Sequence, residues 1–292
     1  MVLTQVLVSN KNQLREFSGS TAEFVLGDAV LVQQDRTAAV EVSVSNSGSL
    51  YLSSTQGFSL RSFNAMVEGT GIYQLQVPSI DVQRELVLWV LGLCKLAIAA
   101  DSIFAKKIIP MAMLKYGDII VHASTLKAKT IDSVIGYRGS INIVGDGETK
   151  KHRACVFVGG ELNAGGIVSE KTEVFIVWSG RAVVSARKEL HIDNPLFGTV
   201  EYTNMKPEVI DDSNWLWWKK ESTPNNTTTP ATAKSYEFRE HPLRQPRGEP
   251  QLMKPDVPSW TSRYSKLGFL TGVVAVGAIV VIVSRRKGSR LI

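Results

Sequence analysis

Cysteine is nearly absent from this chain, and only Cys94 and Cys155 occur in 292 residues. Two widely separated thiols rule out a disulfide framework. They read as buried thiols in a reducing compartment, with a single Cys94–Cys155 bridge as the alternative. Histidine is as scarce. His122, His152, His191 and His241 are scattered without Cys/His metal spacing, so no metal site is expected. Motifs of catalysis are missing too: there is no G-x-S-x-G, no H-E-x-x-H and no Walker-type loop. The stretch "VGDGETKK" lacks the GK[ST] ending of a phosphate cradle, and "VGGELNAGG" reads as glycine turns of a β-protein. Asp118 with His122, or His191 with Asp193, would suit proton transfer only if the fold brought partners together. No catalytic residue and no cofactor are therefore expected.

Net charge is missing from most of the chain. Residues 1–205 hold 19 basic and 19 acidic side chains, whereas residues 206–292 hold 14 and 8, which accounts for the whole +6. A neutral body disfavours a nucleic-acid face. The excess describes a basic segment of the kind drawn to an anionic lipid surface. The N-terminal stretch "MVLTQVLVSNKNQLREF" has neither a basic start nor an unbroken apolar core, so no export signal is expected there.

What the chain does contain is one long apolar run. Leu267, Gly268, Phe269, Leu270 and Gly272 begin it, Val283 closes it, and Thr271 is its only polar residue. With Ser284 the span 267–284 predicts a helix of roughly 27 Å, enough to cross a thin bilayer core. Lys266 flanks one end; Arg285, Arg286, Lys287 and Arg290 flank the other, in the basic tail 285–292. Gly268 and Gly272 form a small-xxx-small pair suited to close helix packing.

Residues 1–204 read as a β-rich globular domain. Val40, Val42 and Val44 alternate with Glu41, Ser43 and Ser45, a turn follows at Asn46–Ser49, and Leu50–Leu52 resumes the pattern, which predicts a hairpin. Gly27-Asp28 predicts another turn, and Tyr73, Leu75 and Val77 another strand face. The apolar segment 79–100, with Ser79 as a cap, predicts one buried helix joining two halves, 1–78 and 101–204, with a pair of strands as its rival. Within 101–204, Val174–Trp178 is apolar on both faces and predicts a central strand. "DGETKKHR" predicts a solvated hairpin tip. Candidate strand centres at Ile103, Ile119, Ile141, Val156 and Val174 are spaced 16, 22, 15 and 18. A solenoid keeps its period better, so the expected fold is mainly β, a sandwich or rolled barrel, with an irregular β-solenoid as the alternative.

Residues 205–266 are Pro-, Thr- and charge-rich and predict a linker without a core. Trp215, Trp217 and Trp218, beside Lys219 and Lys220, stand out there. They suit a membrane interface or a partner's groove, or the last strand of the domain. Asn225 and Asn226 each begin an N-x-[ST] sequon, a glycan acceptor if that part of the chain is external.

With no export signal and a span close to the end, the expected arrangement is tail-anchored, the domain facing the cytosol. The short span with basic residues on both sides, over 263–292, resembles tail anchors of the mitochondrial outer membrane. The resulting expectation is a binding or scaffold protein at an organelle surface, touching membrane lipid and protein partners, free to oligomerise and not an enzyme. The alternatives are a type I surface or viral envelope-like adhesion protein, with glycans at Asn225 or Asn226, and a membrane-anchored, self-assembling solenoid coat.

Overall fold

The computed structural model describes residues 11–114, 116–193, 197–204, 206–212, 225–226 and 236–239. Among these the strands are β1 (Glu16–Ser20), β2 (Glu23–Leu26), β3 (Gln34–Ser45), β4 (Ser49–Ser53), β5 (Phe58–Gly69), β6 (Ile72–Gln76), β7 (Ser79–Gly92), β8 (Lys95–Met113), β9 (Asp118–Ile135), β10 (Ser140–Asp193), β11 (Phe197–Tyr202), β12 (Val209–Asp212) and β13 (Asn225–Asn226). Among the described residues every pairing between these strands is parallel. Each stretch pairs with the stretch one coil away: β1 to β6 pair with the next strand but one, whereas β7 to β10 are long enough to run around bends and pair with their successors. The result is a parallel β-solenoid of about eight turns over residues 16–211, not a sandwich or a barrel.

The uneven spacing of strand centres has a simple origin: the centres fall on different sides of the coil. Ile119 and Ile141 are register partners exactly one turn apart, whereas Ile103 pairs with Leu126 in another stack. Measured along one column the period is regular. Tyr51, Gln74, Ala97, Ile120 and Asn142 stack in turn, at intervals of 23, 23, 23 and 22 residues. Further on, Val183 and Glu201 are stacked only 18 apart, so the coil narrows.

Each turn has three straight stretches. The first face carries the inward column Val40, Phe63, Leu86, Ile108, Ile131 and His152. The second carries Leu50, Tyr73, Leu96, Ile119 and Ile141. The third carries Ile80, Ile103 and Leu126. All but His152 are apolar or aromatic and all are fully or nearly fully buried. Burying each large apolar side chain is worth about 1.5–3 kcal/mol, and each turn contributes through its neighbours. Register shifts at Leu60/Phe63, Val82/Glu85 and Val144/Asp146 mark bends between faces.

The predicted helix at 79–100 is instead β7, a turn at Leu93–Cys94, and the start of β8. Leu86, Leu88 and Val90 point inward at strand period, while the outward Val87 and Trp89 are also apolar. That hid the alternation. The predicted hairpin at 40–52 has a turn in the right place, but the turn bends the chain around the coil. Val42 pairs with Phe17 and Ala65, while Leu50 pairs with Phe24 and Tyr73. "DGETKKHR" is strand, not tip: Asp146 to Arg153 runs alongside Thr125 to Asp132, with Thr149 and His152 inward and the charges outward. In Val174–Trp178 only Val174 and Ile176 are inward, and Trp178 is exposed. In the Gly159–Gly166 stretch Gly159 (φ 64°) sits at a bend, and the stretch as a whole lies within the long β10.

No helix long and apolar enough to cross a membrane occurs among the described residues. The apolar run 267–283, its basic flanks and Trp215, Trp217 and Trp218 lie outside them. β12 extends the coil beyond residue 204 by pairing with β10, and the backbone of Asn225–Asn226 pairs with Glu201–Tyr202.

Candidate functional site

The bend between the first and second faces needs left-handed backbone. Asn46 (φ 59°), Gly69 (φ 99°), Gly92 (φ 126°) and Leu114 (φ 62°) supply it on successive turns. Glycine adopts this conformation freely, asparagine tolerates it, and leucine is strained there. A chain bent this sharply throws the adjoining side chain outward. Leu93, Leu114, Tyr116, Tyr137, Trp178 and Phe197 are accordingly exposed along this one corner.

Contacts tie the corner together. Arg138 donates through Nη1 to the Tyr116 hydroxyl at 3.0 Å, and its guanidinium lies 5.7 Å from the Tyr137 ring centroid. These neighbours hold Arg138 firmly protonated. Trp178, 55% exposed, meets Phe197, 73% exposed, edge to face at 6.4 Å between centroids. With about 4.8 Å per turn, the ridge from Leu93 to Phe197 runs roughly 24 Å along the coil. The exposed side chains form two groups, Tyr116, Tyr137 and Arg138 on one side and Trp178 and Phe197 on the other, with Gly159 on the turn between them. Exposed aromatic and arginine side chains of this kind are the composition of a protein-contact surface. Sequence reasoning missed this strip. Its signal was an apolar residue beside or near a corner glycine, as in Gly92-Leu93, Tyr116-Gly117, Gly136-Tyr137 and Phe197-Gly198.

Residues weighed for chemistry do not converge. Asp118 accepts a hydrogen bond from the Ser140 hydroxyl, and His122 lies four strand positions away, about 13 Å by the rise of a strand. His191 pairs through Nδ1 with Asp211 at 2.7 Å, one turn on, rather than with Asp193. His152 is wholly buried against the Ser133 hydroxyl at 3.1 Å. Burial depresses its pKa to about 4, against a smaller upward pull from Asp132. Cys94 and Cys155 are both free, and burial pushes their thiols up to about 11 and about 12. Such thiols are poor nucleophiles. Among the described residues no group of three or more His, Cys, Asp or Glu is placed to hold a metal ion.

Compared with protein-family models, curated proteins and solved structures, the chain matches none.

Proposed function

We propose that this chain is a membrane-tethered β-solenoid scaffold, and that its corner ridge from Leu93 to Phe197 is where protein partners bind. The observation that carries the reading is the ridge itself, with Tyr116, Tyr137, Trp178 and Phe197 exposed on one corner of an otherwise apolar-cored coil. The apolar run 267–283, set off by the Pro- and Thr-rich stretch before it, supports tethering. Tethering at a surface raises effective concentration, so a ridge of modest area suffices. The short run with basic residues on both flanks fits the mitochondrial outer membrane. The free Cys94 and Cys155 fit a solenoid on the cytosolic side.

The test combines two variants of the full chain in cells. Deleting 267–284 is expected to move the protein from the carbonate-resistant membrane fraction to the soluble one. Replacing Tyr137, Trp178 and Phe197 by serine is expected to leave membrane association intact and to remove photocrosslinks formed from a benzophenone at position 116. Membrane association that survives the deletion, or crosslinks that survive the triple substitution, would overturn the corresponding half of the proposal. Protease digestion of sealed organelles then reports the side on which the solenoid lies.

A further inference from the structure

The outward side of the second face is built differently from the rest of the coil. Its two outward columns are Tyr51, Gln74, Ala97, Ile120 and Ser53, Gln76, Ala99, His122. On the turn that contributes β8 both outward residues are alanine, so the surface dips between the larger side chains on either side. The dip opens into a groove of about 700 Å³ lined by Tyr51, Gln74, Gln76, Ala99, His122 and two carboxylates, Asp28 and Asp101. Hydrogen bonds from Ser54 and Thr55 hold the Asp28 carboxyl below its usual range, so the rim is anionic.

A short stretch far away in sequence is seated here. Gln74, only 2% exposed, donates through Nε2 to the Arg239 carbonyl at 2.7 Å and accepts the Arg239 N–H through Oε1 at 3.1 Å. One carboxamide thus pairs with both backbone groups of one residue, as a neighbouring strand would. The same Oε1 accepts the Tyr236 hydroxyl at 3.1 Å, and Gln76 accepts a second Nε2 hydrogen at 3.0 Å. The Tyr236 ring packs edge to face on Phe238, 4.9 Å between centroids. Tyr236 is half-buried, which raises its hydroxyl pKa. Arg239 itself lines the groove that Asp28 and Asp101 border.

We propose that the second face is a peptide-recognition site for an extended aromatic-x-aromatic-Arg segment, and that Tyr236–Arg239 of the same chain is its resident occupant. Backbone pairing by Gln74 gives register, the two rings give grip, and the acidic rim selects the arginine. Seated in cis, the segment is a clasp. It fixes the point from which the rest of the chain leaves the coil, and a competing peptide of the same pattern would release it. The inference is independent of whether the chain enters a membrane.

Amide hydrogen exchange on the full chain tests occupancy. Gln74→Ala is expected to speed exchange at the Arg239 N–H at least tenfold, with the core strands unchanged. A second measurement uses a fluorescent peptide, TAKSYEFREHP, read by anisotropy. The variant Tyr236→Ala/Phe238→Ala, with its groove vacated, should bind this peptide at least tenfold more tightly than the wild type. Adding Gln74→Ala to that variant should abolish binding. Failure of the vacated variant to bind, or equal binding by both proteins, would overturn the recognition site. If sedimentation shows a wild-type dimer that Gln74→Ala converts to monomer, occupancy in cis is overturned.

Discussion

His152 stands in register with Ile131 one turn back, so a titratable imidazole fills the place that five preceding turns give to apolar side chains. Its pKa in the folded protein, about 4, lies below the ordinary value. The unfolded chain takes up this proton as pH falls past about 6.5, and the folded chain resists until about pH 4. The stability contributed by keeping the ring neutral is complete above pH 6.5 and is lost on going down through that window. We expect a loss of roughly 3 kcal/mol by pH 4. Urea titrations between pH 8 and 4 should show it, and His152→Leu should flatten the profile between pH 6.5 and 4.5.

Gly145 is pressed against the turn below. Its φ is 121°, and a Cβ placed there would run into the Ala123 carbonyl oxygen, which is backbone and cannot rotate away. Gly145→Ala is therefore expected to cost about 2–4 kcal/mol, combining left-handed strain with a forced separation of two turns. Thermal melting followed by circular dichroism would measure it. An unchanged midpoint would show that the bend between the second and third faces is not held in this form.

Arg181 bridges turns by donating through Nε and Nη2 to the two oxygens of Glu201, at 2.7 and 2.8 Å, and reaches Glu161 at 3.4 Å. The Glu201 side chain is nearly buried while Arg181 is more open. Most of the coil's ion pairs join exposed side chains and are worth little, but this bidentate one shields a buried carboxylate. Arg181→Ala should cost about 1.5–3 kcal/mol. Arg181→Ala/Glu201→Gln should recover part of the loss, and a double-mutant cycle reads the coupling directly.

Leu114 occupies the corner that Gly69 and Gly92 occupy on earlier turns, with φ at 62°. Leucine pays about 1–2 kcal/mol for that conformation, and its side chain is exposed. Leu114→Gly is expected to stabilise the fold by about 0.5–1 kcal/mol net of the entropy of the new glycine. The same substitution at the buried Leu88 should unfold the coil, which makes a useful control.

The β-rich character of residues 1–204 was legible because alternation at period two is a local property, plain at Val40–Val44 and at Tyr73–Val77. The coil was not, for a physical reason. Antiparallel and parallel strands with one buried face show the same alternation, and only the partner distinguishes them. Val42 meets Ala65, not Leu50, and nothing local says so. Reading the spacing between Ile103, on the third face, and Ile119, on the second, mixed different sides of the same turn. Asn46, Gly69 and Gly92 carried the missing period, since left-handed backbone recurs there at intervals of 23 residues. The seat of Tyr236–Arg239 was out of reach, because it depends on Gln74 from one turn lying beside Ala97 and Ala99 from the next.

Stacked residues lie 23 apart around Gln74, 18 apart at Val183 and Glu201, and 20 apart at Glu189 and Val209. Laps of unequal length cannot slip past one another. A slip of one lap would set a short turn over a longer one and leave backbone groups without a counterpart. Register in this molecule is thus fixed by lap length as well as by the side chains inside the coil.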